Sequence, residues 1–297
     1  MLTRIISGAV GVVILAAVLF FHNTIVLPIA VAVMIAIMLF ELLRAVKLEK
    51  CLPILIAAEL CGIAMPFIYS GFHYLSGFQY LPDGIISGVD YSTIDGRVTL
   101  YAFMCVLAAA FVIFVTWLAK HKEIRYEQVF FALAVMLLVP QAMSVIVRID
   151  RMSHKDGLFY LIMGLCGAWI ADTGAYFTGV AFGKHKLCPE ISPKKTIEGF
   201  VGGIVTTGIV FAAAFSIYNG EFKLLTAALD FAIGAVCGVI GTVGDLSASM
   251  VKRQIGFKDY GKIMPGHGGL MDRFDSVLFV LPTFYIMVCL IKGTTML

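Results

Sequence analysis

The sequence predicts an all-α, polytopic integral membrane protein of about nine transmembrane helices, with a cytoplasmic N-terminus and an outside C-terminus. Three observations predict it. Apolar residues make up 60% of the chain and charged residues 14%, with a mean hydropathy of +0.96. A soluble globular protein has roughly 45–50% and 25%. The apolar residues also come in long uninterrupted runs, and a hydrocarbon layer about 30 Å thick needs roughly 20 of them per helix. Finally, if every segment crosses, sixteen of the 22 Lys and Arg residues fall on the cytoplasmic side and six on the other, the bias that the positive-inside rule describes.

The elements follow in chain order. Arg4 precedes an apolar run that reaches Phe21 without a polar, small-residue cleavage region, so 5–21 reads as an uncleaved first helix rather than a signal peptide. A tight hairpin through His22 and Asn23 leads to the second segment, 24–42. The remaining segments are 52–70, 99–119, 128–147, 157–180, 200–218, 225–249 and 275–292. The outside loop 71–98 carries Asp83, Asp90 and Asp95 and reads as a surface excursion. Seven cysteines, without a CxxC pair, give no disulfide framework. Nine such segments leave no room for a soluble domain. Residues 1–155 read as a scaffold of transmembrane helices, and 156–297 as transmembrane helices with two long cytoplasmic motif loops.

Two acids interrupt the first half. Glu41 lies near a cytoplasmic helix end, where it reaches water or pairs with Arg44 at i+3. Glu59 is deeper, and either pairs within the bundle or serves chemistry, since intramembrane carboxylates are often functional.

The densest chemistry lies at 241–275. On a helix, Asp245, Ser249 and Lys252 are spaced i, i+4, i+7 and share one face, with Arg253 at its edge. The loop beyond supplies Lys258, Asp259, Lys262 and Pro265-Gly266-His267-Gly268-Gly269, and closes on Asp272-Arg273-Phe274-Asp275. Glycines admit a ligand close to the backbone, and successive N–H groups in such turns bind anions. Mg²⁺ favours carboxylate oxygens and keeps substrate phosphates in its shell, so one or two Asp suffice as protein ligands. Lys and Arg stabilise charge on a transferring phosphate. The set suits phosphoryl or nucleotidyl transfer better than topogenic charge alone, which leaves Asp245 and the glycine loop without a reason.

A second cluster lies at 172–203. Asp172 and Tyr176 are i, i+4 on the sixth segment. Ser192-Pro193 reads as an N-cap followed by proline at the first helical position. Lys194 and Lys195 then fall in a first helical turn, where cations oppose the macrodipole unless an anion is bound; a plain juxtamembrane pair is the alternative. Gly199 and Gly203 form a GxxxG pair suited to close helix packing.

At these residues the chain resembles a known family. The pattern from Ser249 through Lys252-Arg253, Lys258-Asp259, Gly261, Pro265, His267-Gly268-Gly269 and Asp272-Arg273 to Asp275 is similar to the signature of phosphatidate cytidylyltransferases, the CDP-diacylglycerol synthases. The segments around Asp172, Lys184 and Ser192 look like that family's other motifs, and Met264 stands where an aliphatic or Phe residue is expected. The resemblance implies condensation of CTP with phosphatidic acid, release of pyrophosphate and dependence on Mg²⁺, held by Asp245 and Asp272. It also implies K⁺ as a second cation and a homodimer. Catalytic roles are expected for Asp245, Lys252, Arg253, Lys258, His267, Asp272 and Arg273. Substrate contacts are expected from Asp172, Tyr176, Ser192, Lys194, Lys195, Ser249, Gly268 and Gly269. The expected setting is a bacterial inner membrane with the site facing the cytoplasm and no nucleic-acid partner. Two rivals stand beside it: a CTP-dependent membrane lipid kinase, and a transporter with Glu59, Asp172, Asp230 and Asp245 as a cation path.

Overall fold

The computed structural model describes residues 2–70, 91–152, 156–266 and 268–292. Ten helices run α1 (Leu2–Phe20), α2 (Val26–Ala45), α3 (Leu52–Tyr69), α4 (Tyr91–Ala119), α5 (Tyr126–Asp150), α6 (Gly157–Phe182), α7 (Ile197–Asn219), α8 (Leu224–Ile255), α9 (Met271–Phe274) and α10 (Val277–Lys292). Among the described residues eight helical stretches are long and apolar enough to cross a bilayer, and α1 contributes a shorter apolar stretch, Ile6–Phe20. The last stretch, Met271–Ile291, takes in α9 and α10. Many large apolar side chains face outward, such as Phe111 at 69% exposure and Leu118 at 72%. Water would penalise such a surface; hydrocarbon does not.

The described parts of Met1–His154 and Asp259–Met271 pack as one compact unit, and those of Lys155–Lys258 and Asp272–Met296 as another. In the first, Ile35, Leu39 and Leu43 of α2 are buried with Ile54 and Met65 of α3 and Val129, Met136 and Met143 of α5. The turn after α1 is pinned by His22, whose Nδ1 lies 2.6 Å from Asp150 Oδ1 at the end of α5. Helix α4 starts at Tyr91, so 91–98 is helical rather than part of a long loop; Asp83 and Asp90 lie outside the described residues.

In the second unit α6, α7, α8 and α10 surround Phe211, Phe215 and Phe284, all fully buried. Phe211 and Phe284 meet edge to face at 5.8 Å, a favoured geometry for aromatic pairs. The GxxxG pair does pack closely. A Cβ on Gly203 would lie 2.7 Å from the Ala171 carbonyl, and one on Gly199 2.7 Å from that of Ala175. Backbone meets backbone along α6 and α7, which fixes their register and places Asp172 one residue beyond the Ala171 contact.

One expectation fails here. Ser192 does not cap a helix: β1 (Lys186–Cys188) and β2 (Ser192–Thr196) form an antiparallel hairpin in which Lys186 pairs with Thr196 and Cys188 with Ser192. Pro193 therefore sits on a two-stranded ribbon, where a missing N–H is tolerated. The cap is Thr196, whose hydroxyl accepts the Gly199 N–H at 3.1 Å, and α7 starts at Ile197. Lys194 and Lys195 consequently lie on the strand and do not oppose a helix dipole.

Candidate active site on helix α8

Helix α8 carries Asp245, Ser249 and Lys252 on one face, as their spacing requires, with Ser249 Oγ 3.5 Å from Asp245 Oδ1. It stops at Gly256, whose φ of +82° is open to glycine at little cost. The Phe257 N–H then returns to the Lys252 carbonyl at 2.8 Å. That ending leaves the Lys252 side chain to turn inward. It is not a surface cation: its side chain is 11% exposed, and Nζ lies 2.9 Å from Asp272 Oδ1 and 4.0 Å from Asp275 Oδ2.

The approach of Asp275 depends on a bare stretch of α8. A Cβ on Gly244 would come within 3.1 Å of the Asp275 carbonyl and 3.2 Å of Ser276 Cα. Asp275 Oδ1 accepts the N–H of Ser276 at 2.8 Å, which turns its other oxygen toward Lys252. On the other side of Asp245, strand β2 delivers Lys195, with Nζ 2.5 Å from Asp245 Oδ2. Asp172 of α6 lies within electrostatic reach of Lys195 and Asp245, and Asp275 within reach of Asp245, Lys252 and Asp172.

The result is a cluster of four carboxylates (Asp172, Asp245, Asp272, Asp275) and two ammonium groups (Lys195, Lys252) built from α6, β2, α8 and the 272–275 turn. Carboxylate oxygens grouped in this way are of the donor type that a divalent cation takes together with phosphates. Among the described residues, however, no three His, Cys, Asp or Glu side chains converge closely enough to hold an ion by themselves. The carboxylate oxygens of Asp245 and Asp272 are of the donor type that Mg²⁺ favours.

The other expected residues are placed differently. Lys194, Arg253, Lys258 and Arg273 are exposed, and Tyr176 is 65% exposed on α6. Ser192 is half-buried on β2. His267 lies outside the described residues. Gly268 and Gly269 belong to the loop of the first unit, where Met264 and Gly268 exchange backbone hydrogen bonds at 3.0 and 3.1 Å.

Three acids gain roles that sequence reasoning did not give them. Asp275 faces Lys252, signalled only by its i, i+3 relation to Asp272. Glu198 holds the segment before β1: it accepts the N–H groups of Lys184 and His185 at 3.0 and 3.2 Å, and His185 Nδ1 at 2.7 Å. Glu41 is 1% exposed, so it does not reach water as expected, and it accepts the N–H groups of Leu270 and Met271. Arg44 donates to the Tyr260 carbonyl of the same loop. Glu59 stays half-buried on α3, with Oε2 buried and no hydrogen-bond partner among the described residues.

Similarity to known proteins runs along the whole chain. A model of the cytidylyltransferase family matches residues 2–291. A phosphatidate cytidylyltransferase of Bacillus subtilis (strain 168) is 35% identical over 293 residues, 97% of each chain. Proteins of the same name from Staphylococcus haemolyticus and Staphylococcus saprophyticus are 44% identical over 137 residues, 46% of this chain. In these two the matched stretch spans about half of the relative's length, 51%.

Proposed function

Because the chain belongs to the cytidylyltransferase family, we propose that it condenses CTP with phosphatidic acid, giving CDP-diacylglycerol and pyrophosphate. The observation that carries this reading is the pair of lysine–carboxylate contacts, Lys195 with Asp245 and Lys252 with Asp272, each with one partner on helix α8. Cations poised over acids in an apolar wall suit a charged headgroup meeting a nucleotide, and the full-length similarity to the Bacillus subtilis protein supports the same substrates.

In the reaction a phosphate oxygen of phosphatidic acid attacks the α-phosphorus of CTP in line. The bond from that phosphorus to the oxygen bridging to the β-phosphate breaks, and pyrophosphate departs with the electron pair. The attacking phosphate is already anionic near pH 7, so no strong base is needed. Lys195 and Lys252 release their carboxylate partners in favour of phosphate oxygens and stabilise charge that builds up in the transition state. Lys194, Arg253, Lys258 and Arg273 are exposed, and we assign them to the charge of the triphosphate and headgroup. Asp172, Tyr176, Ser192, Ser249, His267, Gly268 and Gly269 complete the proposed substrate contacts. Asp245 and Asp272 would hold Mg²⁺, with Asp275 beside them. When bound, the ion neutralises the triphosphate and polarises its α-phosphorus. K⁺ is proposed as a second cation, and a homodimer as the assembly.

The charge bias of the sequence supports an inner-membrane protein whose N-terminus and α8–α9 loop lie on the cytoplasmic side, where CTP is found. The test is an assay of detergent-solubilised protein with phosphatidic acid, Mg²⁺ and CTP labelled separately at the α and γ positions. The expected result is α-label in the lipid and γ-label in pyrophosphate. Transfer of γ-label to lipid would instead identify a CTP-dependent kinase. If neither label moves in folded protein, transport becomes the leading reading.

A further inference from the structure

Helix α2 reaches, through Glu41 and Arg44, a loop more than two hundred residues away. Both oxygens of the buried Glu41 carboxylate are engaged: Oε1 accepts the Leu270 N–H at 3.2 Å and Oε2 the Met271 N–H at 2.9 Å. Gly261 and Gly269 press against the same carboxylate, and a Cβ on either would overlap it. Nearly one turn along α2, Arg44 Nη2 donates to the Tyr260 carbonyl at 2.9 Å, and Tyr260 is itself buried. The loop is thus gripped at both ends, 260–261 and 269–271. Between the grips it closes on itself at Met264 and Gly268, with Gly266 and Gly268 at φ of +79° and +93°. Its tip is tied to α1 by the Ser7 hydroxyl, which donates to the Pro265 carbonyl at 3.0 Å.

We propose that Glu41 is a positioning residue for the nucleotide: it fixes the backbone of the 260–271 loop in the shape that receives the triphosphate. This rests on the functional reading above. A carboxylate suits the task because it alone among side chains of this length accepts two diverging N–H donors at once, with the strength of charge-assisted bonds. Gln offers one acceptor and turns an NH₂ group against the second donor. Asp is one methylene too short to reach.

The test uses the full-length chain in detergent, as wild type and as Glu41→Gln, Glu41→Asp and Glu41→Ala. Initial rates are measured with CTP varied at saturating phosphatidic acid, and the reverse. The rate of tryptic cleavage after the exposed Lys262 is measured without ligands. The expected result is a fall in kcat/KM for CTP on the order of 10- to 100-fold, the scale for misplaced binding groups. KM for phosphatidic acid stays unchanged, and Lys262 is cleaved faster while other basic loops are not. Glu41→Gln is expected to be the mildest variant, and it carries the test if Glu41→Ala does not fold.

Wild-type CTP kinetics in Glu41→Gln overturns the proposal, whatever the cleavage rate. So does an equal loss for both substrates with faster cleavage throughout the chain, which marks a purely structural role. If the wild type forms no CDP-lipid, it is the functional reading that fails. Cleavage at Lys262 then still decides whether Glu41 holds the loop.

Discussion

Lys195 Nζ lies 2.5 Å from Asp245 Oδ2, joining a strand of a two-stranded ribbon to the last third of the long apolar helix α8. Each side chain is about a quarter exposed, so the pair is open to displacement. In the proposed reaction Lys195 would turn to a phosphate and Asp245 would hold Mg²⁺. Both partners then act in one step, and their removal is not additive. Lys195→Ala and Asp245→Asn are each expected to lower turnover by about 100- to 1,000-fold. The double variant should be little worse than the worse single one, as read from initial rates of CDP-lipid formation.

The second lysine carries a larger structural share. Lys252 is buried against Asp272 and Asp275, and removing one partner of a buried ion pair costs roughly 3–5 kcal/mol. Lys252→Met is expected to lower the thermal stability of the detergent-solubilised protein accordingly. Adding Asp272→Asn should restore part of the loss without restoring activity.

Metal dependence is expected to follow the two acids. Chelation should abolish turnover and Mg²⁺ should restore it. Asp245→Asn and Asp272→Asn should each raise the Mg²⁺ concentration needed for half-maximal rate, or abolish turnover outright. Titration of the rate against Mg²⁺ checks this.

Thr196 caps α7 directly after the strand that carries Lys195. Thr196→Ala is expected to cost about 0.5–2 kcal/mol and to reduce activity by loosening that strand; Thr196→Ser should retain both. Thermal unfolding and turnover on the same preparations separate the two effects.

Gly244→Ala would place a methyl group 2.8 Å from Phe279 Cδ2 and 3.1 Å from the Asp275 carbonyl. Overpacking of this kind costs about 1–3 kcal/mol. The expected signature is a modest loss of stability with a disproportionate loss of activity, because the displaced turn carries Asp275 to its place beside Lys252.

What the sequence made legible is what a single helix determines. Asp245, Ser249 and Lys252 share a face because 3.6 residues make a turn, and Gly199 and Gly203 predict close packing for the same reason. The hairpin at 186–196 was not legible, since Ser192-Pro193 offers a good cap and proline step and the ribbon has little pattern of its own. Local preference lost to strand pairing and to the Thr196 cap nearer the apolar run. The grip of Glu41 on Leu270 and Met271 was hidden for a different reason. It joins positions far apart in the chain, and nothing near Glu41 marks its acceptor role.

Helix α8 is 32 residues long, about 48 Å at 1.5 Å per residue, against a hydrocarbon layer about 30 Å thick. Measured from Leu224, Asp245 falls roughly 32 Å along the axis, a distance close to the thickness of that layer. For the proposed reaction, a site at that depth would let a lipid substrate react without leaving its leaflet, and the concentration that governs the rate would be a two-dimensional one. The length of one helix would thereby make the composition of the membrane itself a control on flux.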